Sequence, residues 1–295
     1  MTEHIRYLVG IDGGGTSCRA RLCDTQGKVL AEAKTGSANI LLGADVAMKS
    51  ILDAIATAAS LAGLSERNYG EMSVGLALAG AEQRTAWYDF MAQPHPFARL
   101  TLNTDGYGAC LGAWKGRDGA IFIAGTGSVG LLRQGKQISV VGGREFPISD
   151  QGSGAVMGLR LIQQVLLSVD GIMPQTELAR LVLAHFDHDV DAIVEWSKTA
   201  LPCDYGQFSP EIFRLAEAND SLAVALLQQT AADIEMWLNA LIARGADQIC
   251  LMGGIAERIA PWLTPAIQRR LAPPQGDAMD GAILIAQGDH NLYPR

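Results

Sequence analysis

Charge is scarce in this 295-residue chain: Asp, Glu, Lys and Arg make up 18% of it, against about a quarter in most globular proteins. No stretch concentrates Lys and Arg. With 31 acidic and 23 basic residues the net charge is −8, which disfavours nucleic acid and anionic membranes as partners. An acidic chain still binds a small phosphate ligand where backbone N–H groups do the binding. Aromatic residues are few, at 6%. Cysteine is sparse. Cys18, Cys23, Cys110, Cys203 and Cys250 are scattered, odd in number and form no CxxC pair, so reduced, mostly buried thiols are expected rather than a disulfide framework. Long hydrophobic runs are also missing. The longest, such as Gly119 to Leu132, contain glycines and fall short of the roughly 18 residues a membrane span needs. The opening MTEHIRYLVG carries charges where a secretory leader needs an apolar run, and a cytoplasmic location is the expectation.

What the chain has is apolar surface and glycine. Hydrophobic residues account for 48% and there are 33 glycines, enough for a large core and many backbone-defined turns. The length suits one large or two ordinary domains. IRYLVGI (5–11) predicts a buried strand, CRARLC (18–23) a half-exposed one by its alternation, and VLAEAK a third. An amphipathic helix is expected over 44–63, ended by Gly63. A strand (72–79), a helix (82–92), a strand (98–103) and a helix (107–114) follow. The charged segment 115–119 marks a boundary. The second half then repeats the first: strand 120–125, a Gly/Thr/Ser turn, strand VGLLR, a Gln-Gly-Lys turn, and strand QISVVG. Gln-Gly-Lys occurs at both 26–28 and 134–136, which favours a domain-level internal repeat over two unrelated meanders. From 152 to 243 the pattern is helical, with loops around 171–176 and 202–210. A strand (247–252), a short helix (255–260) and a helix from Asp277 (277–287) complete the reading.

Several segments carry possible chemistry. Asp12 at a strand end runs into Gly13, Gly14, Gly15, Thr16 and Ser17. Glycines let backbone N–H groups approach an anion closely, the hydroxyls add donors, and Asp12 suits a water-mediated Mg²⁺ contact; a plain tight hairpin is the alternative. Gly125, Thr126, Gly127 and Ser128 repeat that chemistry. Met252-Gly253-Gly254 passes from strand to helix, as close packing or a flat ligand would require. Asp105, between strand and helix, is either an N-cap or a general base. Asp150, in Asp150-Gln151-Gly152-Ser153-Gly154, is likewise a cap or a partner for sugar hydroxyls. Asn39, in a polar loop, offers an amide. Three look-alikes are set aside. Gly130–Gln137 nearly spells a P-loop, but Gln137 replaces the Ser/Thr and the segment reads as a hairpin. No GxGxxG opens a helix after the first strand. His185 and His188, with Asp187 and Asp189, lack a third histidine and read as a solvated helix end.

Taken together, GIDGGGTS, LNTDGYGA, AGTGS, GGREFPISDQGSGAVMG and LMGGIAERI resemble the BadF/BadG/BcrA/BcrD-type ATPase family. This is a branch of the actin/hexokinase/Hsp70 superfamily that includes N-acetylglucosamine kinases, and the likeness is strongest to its bacterial glucosamine kinases. The resemblance implies an α/β fold of two ribonuclease-H-like domains, each with a five-stranded mixed sheet, around a cleft for ATP·Mg²⁺ and an amino sugar. The domains are expected at 1–116 and 117–295, the second with a helical insertion and a last helix that returns to the first. It implies phosphate contacts from Asp12, Gly13, Gly14, Gly15, Thr16, Gly125, Thr126, Gly127 and Ser128, and adenosine contacts from Gly253 and Gly254. Asp12 would contact Mg²⁺ through water. Asp105 stands where the family places its base, and Asn39, Asp105 and Asp150 match sugar-contacting positions. Between Gly143 and Asp150 the chain departs from the animal enzymes, which have a Gly/Trp-containing stretch. The expectation here is that Glu145 lies near the sugar 2-position and favours a free ammonium over an acetamide. The implied reaction is phosphorylation of the glucosamine 6-hydroxyl by ATP, in the cytoplasm, by a homodimer without nucleic-acid or membrane partners. The alternatives are an N-acetylglucosamine or other hexose kinase and, from another class, the ATPase activator of a 2-hydroxyacyl-CoA dehydratase.

Overall fold

The computed structural model describes residues 4–288, and the chain divides into two compact units. One takes in the chain up to Gly119, Arg133–Gln137 and the chain from Pro273 on; the other is Ala120–Leu132 with Ile138–Ala272. The first unit holds strands β1 (Tyr7–Gly13), β2 (Cys18–Asp24), β3 (Val29–Thr35), β4 (Met72–Leu78) and β5 (Arg99–Thr104) in the order β3-β2-β1-β4-β5. β2 pairs antiparallel with β1 and β3, whereas β4 runs parallel to β1 and β5. β4 is buried at every position, as a central strand covered on both faces must be. Helix α1 (Ala44–Leu61) buries Ala47, Met48, Ile51, Ala54, Ile55 and Ala58, a helical stripe that packs on one sheet face. Helices α2 (Arg84–Met91) and α3 (Asp105–Trp114) complete the part of this unit that precedes Gly119.

The second unit opens with most of β6 (Gly119–Ala124), β7 (Ser128–Gln134) and β8 (Gln137–Gly142), the β7–β8 turn counting with the first unit. Its helices are α4 (Gly154–Val169), α5 (Glu177–His185), α6 (Val190–Ser197), α7 (Pro202–Gly206), α8 (Ser209–Glu217) and α9 (Ser221–Ala243). β9 (Ile249–Met252), α10 (Ala256–Ile259) and α11 (Pro265–Gln268) follow. Leu161, Val165, Leu178, Val182, Leu227, Ile234 and Leu238 form the heart of one core under the sheet β8-β7-β6-β9. Among the described residues the expected five strands are four, and beyond β9 a parallel bridge joins Ile249 to Leu271. Ala272 N–H still donates to the Ile249 carbonyl at 3.0 Å, but Pro273 and Pro274 follow it and cannot donate to a ladder. The loop expected around 202–210 is instead helical. Pro202 and Pro210 sit in the first turns of α7 and α8, where a missing N–H costs nothing.

Helix α12 (Ala278–Gln287) belongs to the first unit and lies against α3, β1 and β4. Glycines make that approach possible. A Cβ on Gly75 would stand 2.1 Å from the Ala282 carbonyl oxygen, one on Gly112 1.7 Å from that of Asp277, and one on Gly281 1.8 Å from that of Gly108. The start of α12 is fixed by charge. Arg21 on β2 donates to both carboxylate oxygens of Asp277 at 2.9 and 3.0 Å, to Glu32 at 2.6 Å and to Asp280. Asp277 and Asp280 also cap each other's backbone N–H groups, a capping box.

Candidate functional site

In the first unit the β1–β2 turn closes with a bond from Gly14 N–H to the Ser17 carbonyl, 2.9 Å. Gly13 is held tightly: a Cβ there would meet Leu78 at 2.5 Å and Ala38 at 2.8 Å. Gly14 and Gly15 differ, because a Cβ on either would touch nothing within 4 Å. The fold does not require glycine at these two positions. Their small size instead lets the turn's N–H groups approach an outside anion. Thr16 is exposed on the same turn. Asp12 faces Arg19 across the β1–β2 ladder, and Arg19 Nε and Nη2 reach a single oxygen, Asp12 Oδ2, at 2.9 and 2.5 Å. Alternation along two antiparallel strands was the signal that could have revealed this pair; the sequence reading missed it.

The loop after β3 is tied to that turn. Ala38 N–H and Ser37 Oγ both donate to the Gly14 carbonyl at 3.1 Å. Asn39 Oδ1 accepts from Leu41 N–H at 2.9 Å, so its amide nitrogen is the group it can offer a ligand. Asp105 opens α3. Thr104, not Asp105, caps the helix by accepting from Tyr107 N–H at 3.2 Å, and the Asp105 carboxylate takes local backbone N–H groups instead, that of Gly106 at 2.7 Å and its own. Asp105 keeps solvent-exposed surface, yet the protein around it excludes enough bulk water to raise its carboxyl to about 6. Desolvation is the main cause; the Gly106 bond opposes it, and the nearby charges of Glu82 and Asp12 reinforce it. A carboxylate with this elevated affinity for a proton, reachable from solvent, has the character of a general base.

The second unit gathers the other expected residues. The turn Gly125–Ser128 is clamped to the start of α4, where Gly154 N–H donates to the Gly125 carbonyl at 2.8 Å and Ala155 N–H to that of Thr126 at 3.2 Å. Those helix N–H groups are thereby spent on holding the turn. Gly127 lies over Asp150: a Cβ there would stand 2.8 Å from Asp150 Oδ2. Asp150 is buried, and desolvation raises its pKa against the lowering bond from Ser128 N–H, with Glu145 adding like charge. Glu145 is exposed. Both residues have left-handed backbones, φ 72° at Glu145 and 67° at Asp150, a conformation that costs of order 1 kcal/mol outside glycine. Gly253 (φ 101°) presses on Ala124, whose carbonyl accepts from Ile255 N–H at 3.1 Å. Gly254 is open to solvent, with its N–H beside Gly125.

The remaining groups are structural. Cys18, Cys23, Cys110 and Cys250 are buried and Cys203 is exposed; none of the five is in a disulfide among the described residues. Burial pushes Cys18, Cys23 and Cys250 up to about 11, which makes them poor thiolate ligands. His185 packs edge-on against Phe186 and Phe208. The P-loop look-alike at 130–137 is the β7–β8 hairpin. Among the described residues no helix is long and apolar enough to cross a membrane.

Two mixed sheets that each open with a glycine turn, one backed by a carboxylate of raised pKa, define an actin-like nucleotide-using class. The chain belongs to the BadF/BadG/BcrA/BcrD ATPase family, whose model matches residues 9–286. More particularly, it is 63% identical over 290 residues to glucosamine kinase GspK from Vibrio cholerae, covering 98% of this chain and 99% of that one. A crystal structure of a proposed N-acetylglucosamine kinase from Chromobacterium violaceum superposes with a TM-score of 0.90 at 35% identity, covering 96% of this chain and all of the other. A ROK family glucokinase from Streptomyces griseus, solved with glucose and AMPPNP, shares the fold with a TM-score of 0.55 at 18% identity, covering 95% and 98% of the two chains.

Proposed function

We propose that this protein transfers the γ-phosphoryl group of ATP to the 6-hydroxyl of D-glucosamine. The observation that carries the reading is Asp105, a solvent-reachable carboxylate tuned to about 6, in a chain 63% identical to a glucosamine kinase. Asp105 accepts the proton of the attacking hydroxyl and orients it. The N–H groups of Gly15, Thr16, Thr126 and Gly127 hold phosphate oxygens; those of Gly14, Gly125 and Ser128, expected to do the same, are instead bonded to the Ser17 carbonyl, the Gly127 carbonyl and the Asp150 carboxylate and shape the turns. Gly253 and Gly254 give adenosine a flat backbone surface, and Asn39 and Asp150 bind sugar hydroxyls. Positioning and electrostatic stabilisation supply most of the rate in such a transfer.

Asp12, whose Oδ2 is held by Arg19, would offer its other oxygen to a water of Mg²⁺, which keeps several waters and takes its other oxygens from phosphate. No group of three or more His, Cys, Asp or Glu residues is placed to cage a metal among the described residues, and a water-mediated contact needs none. Mg²⁺ bound there would neutralise phosphate charge. ATP chemistry and five reduced thiols suit the cytoplasm.

Specificity rests on Glu145. Its carboxylate and that of Asp150 place negative charge together in the 143–150 loop, which attracts an ammonium and gains nothing from an acetamide. The test is coupled ADP release with glucosamine, N-acetylglucosamine and glucose. Turnover with glucosamine above the other two is expected, and a preference for the acetylated sugar refutes the assignment. Glu145→Gln should lower the glucosamine to N-acetylglucosamine ratio of kcat/KM at least several-fold. An unchanged ratio removes Glu145 from the specificity argument. The iron–sulfur activator reading gains no support from buried thiols of raised pKa; a colourless purified protein agrees with this.

A further inference from the structure

The loop that carries Glu145 and Asp150 is pinned from one side by helix α9. Trp237 Nε1 donates to the Gln151 carbonyl at 3.0 Å, and Ser128 Oγ donates to the same oxygen at 2.8 Å. The Trp237 ring also lies 3.6 Å from where a Gly142 Cβ would be. One turn away, Ile234 presses on Gly152, whose added Cβ would meet it at 2.6 Å. Gly142, Gly143, Glu145, Asp150 and Gly152 all have positive φ. The three glycines take such angles freely, but Glu145 and Asp150 keep them only if their surroundings impose them.

Ser128 links this loop to the glycine turn in three ways. Its N–H bonds the Asp150 carboxylate, its carbonyl accepts from Gly143 N–H at 3.0 Å, and its hydroxyl shares the Gln151 carbonyl with Trp237. Ser128 is buried, so its hydroxyl serves this junction and not a ligand. We propose that Trp237 is a positioning residue: with Ser128 it fixes the Gln151 carbonyl, and so holds Asp150 at a set place against the Gly125–Ser128 turn. Trp237 touches no reacting atom. Its effect reaches the sugar through Asp150, and that part of the inference rests on the kinase reading above; the pinning of the loop does not.

Trp237→Phe keeps an aromatic ring but removes the N–H donor together with part of the indole's packing, so Ser128→Ala, which removes the other donor to the same carbonyl with little change of volume, is measured beside it. Two measurements are made on both variants. Amide hydrogen exchange should quicken in peptides covering 125–128 and 142–155, while peptides from α5 and α12 keep wild-type rates. KM for the sugar the wild type uses best should rise roughly three- to tenfold, the equivalent of one net hydrogen bond, with kcat changed less. Unchanged exchange in 142–155 overturns the pinning, whichever sugar is turned over. Faster exchange with an unchanged KM overturns the link to the sugar. Should the wild type phosphorylate no sugar, the kinase reading fails and exchange alone decides the pinning. If Trp237→Phe does not fold, Ser128→Ala alone is read by the same exchange criterion.

Discussion

Asp105 gives up its proton near pH 6, instead of the 3.8 of an ordinary aspartate, and that difference acts on both turnover and stability. A base must be ionised, so kcat/KM should fall as pH drops through about 6, a limb that a pH–rate profile of the free enzyme reports. Asp105→Asn should lower kcat by about 10²- to 10⁴-fold while ATP binding, followed by calorimetry, stays within a few-fold of wild type. Retained turnover would take the base role away from Asp105. The stability effect has the opposite sign. Below about pH 4 the carboxyl is protonated in both folded and unfolded chains and makes no difference. As pH rises through about 6 the unfolded chain ionises more readily, and folding loses stability. Asp105→Asn should therefore melt higher than wild type at pH 8, with the gap closing toward pH 4. Neither the raised pKa nor the cap at Thr104 was legible in the sequence, which left Asp105 as cap or base, because burial and neighbouring charge are products of folding.

Two glycine populations separate at the scale of elements. Gly281→Ala drives a Cβ into the Gly108 carbonyl at the α3–α12 contact, and overpacking of this kind costs about 2 kcal/mol or more, measurable by urea unfolding. Gly15→Ala meets nothing in the protein. It should change stability by less than about 0.5 kcal/mol while raising KM for ATP; an unchanged KM would remove that turn from phosphate binding. Sequence alone cannot tell these glycines apart. It did show the strands of the first sheet, since β1 and β4 read as apolar runs and β2 as an alternation, and it showed the long helices α1 and α9. It misjudged α7 and α8, where proline in a first helical turn looked like a loop. The family resemblance implied a fifth strand in the second sheet, where only Ala272 separates Leu271 from two prolines. The Arg19–Asp12 pair and the Trp237–Gln151 bond escaped notice because each depends on register or on partners 86 residues apart.

For the molecule as a whole, the first unit is discontinuous in sequence. Its sheet face is completed by a helix that follows the entire second unit, and the backbone at Gly10 and Gly75 is shaped to that helix. Ending the chain after Ala272 should leave the second core intact and strip the first of a partner along β1 and β4. Hydrogen exchange is expected to show lost protection in β1 and β4 and retained protection in α9. Full protection of β1 in the shortened chain would show that α12 is dispensable.

The late position of α12 also bears on synthesis. A ribosome adds about 5–20 residues per second, so roughly 10 to 30 seconds separate Gly119 from the last residues of α12. During that interval a nascent sheet waits with one apolar face uncovered and its small-residue groove vacant. The order in which the polypeptide is made thus sets a period of aggregation risk, in which a holding chaperone would have most to contribute.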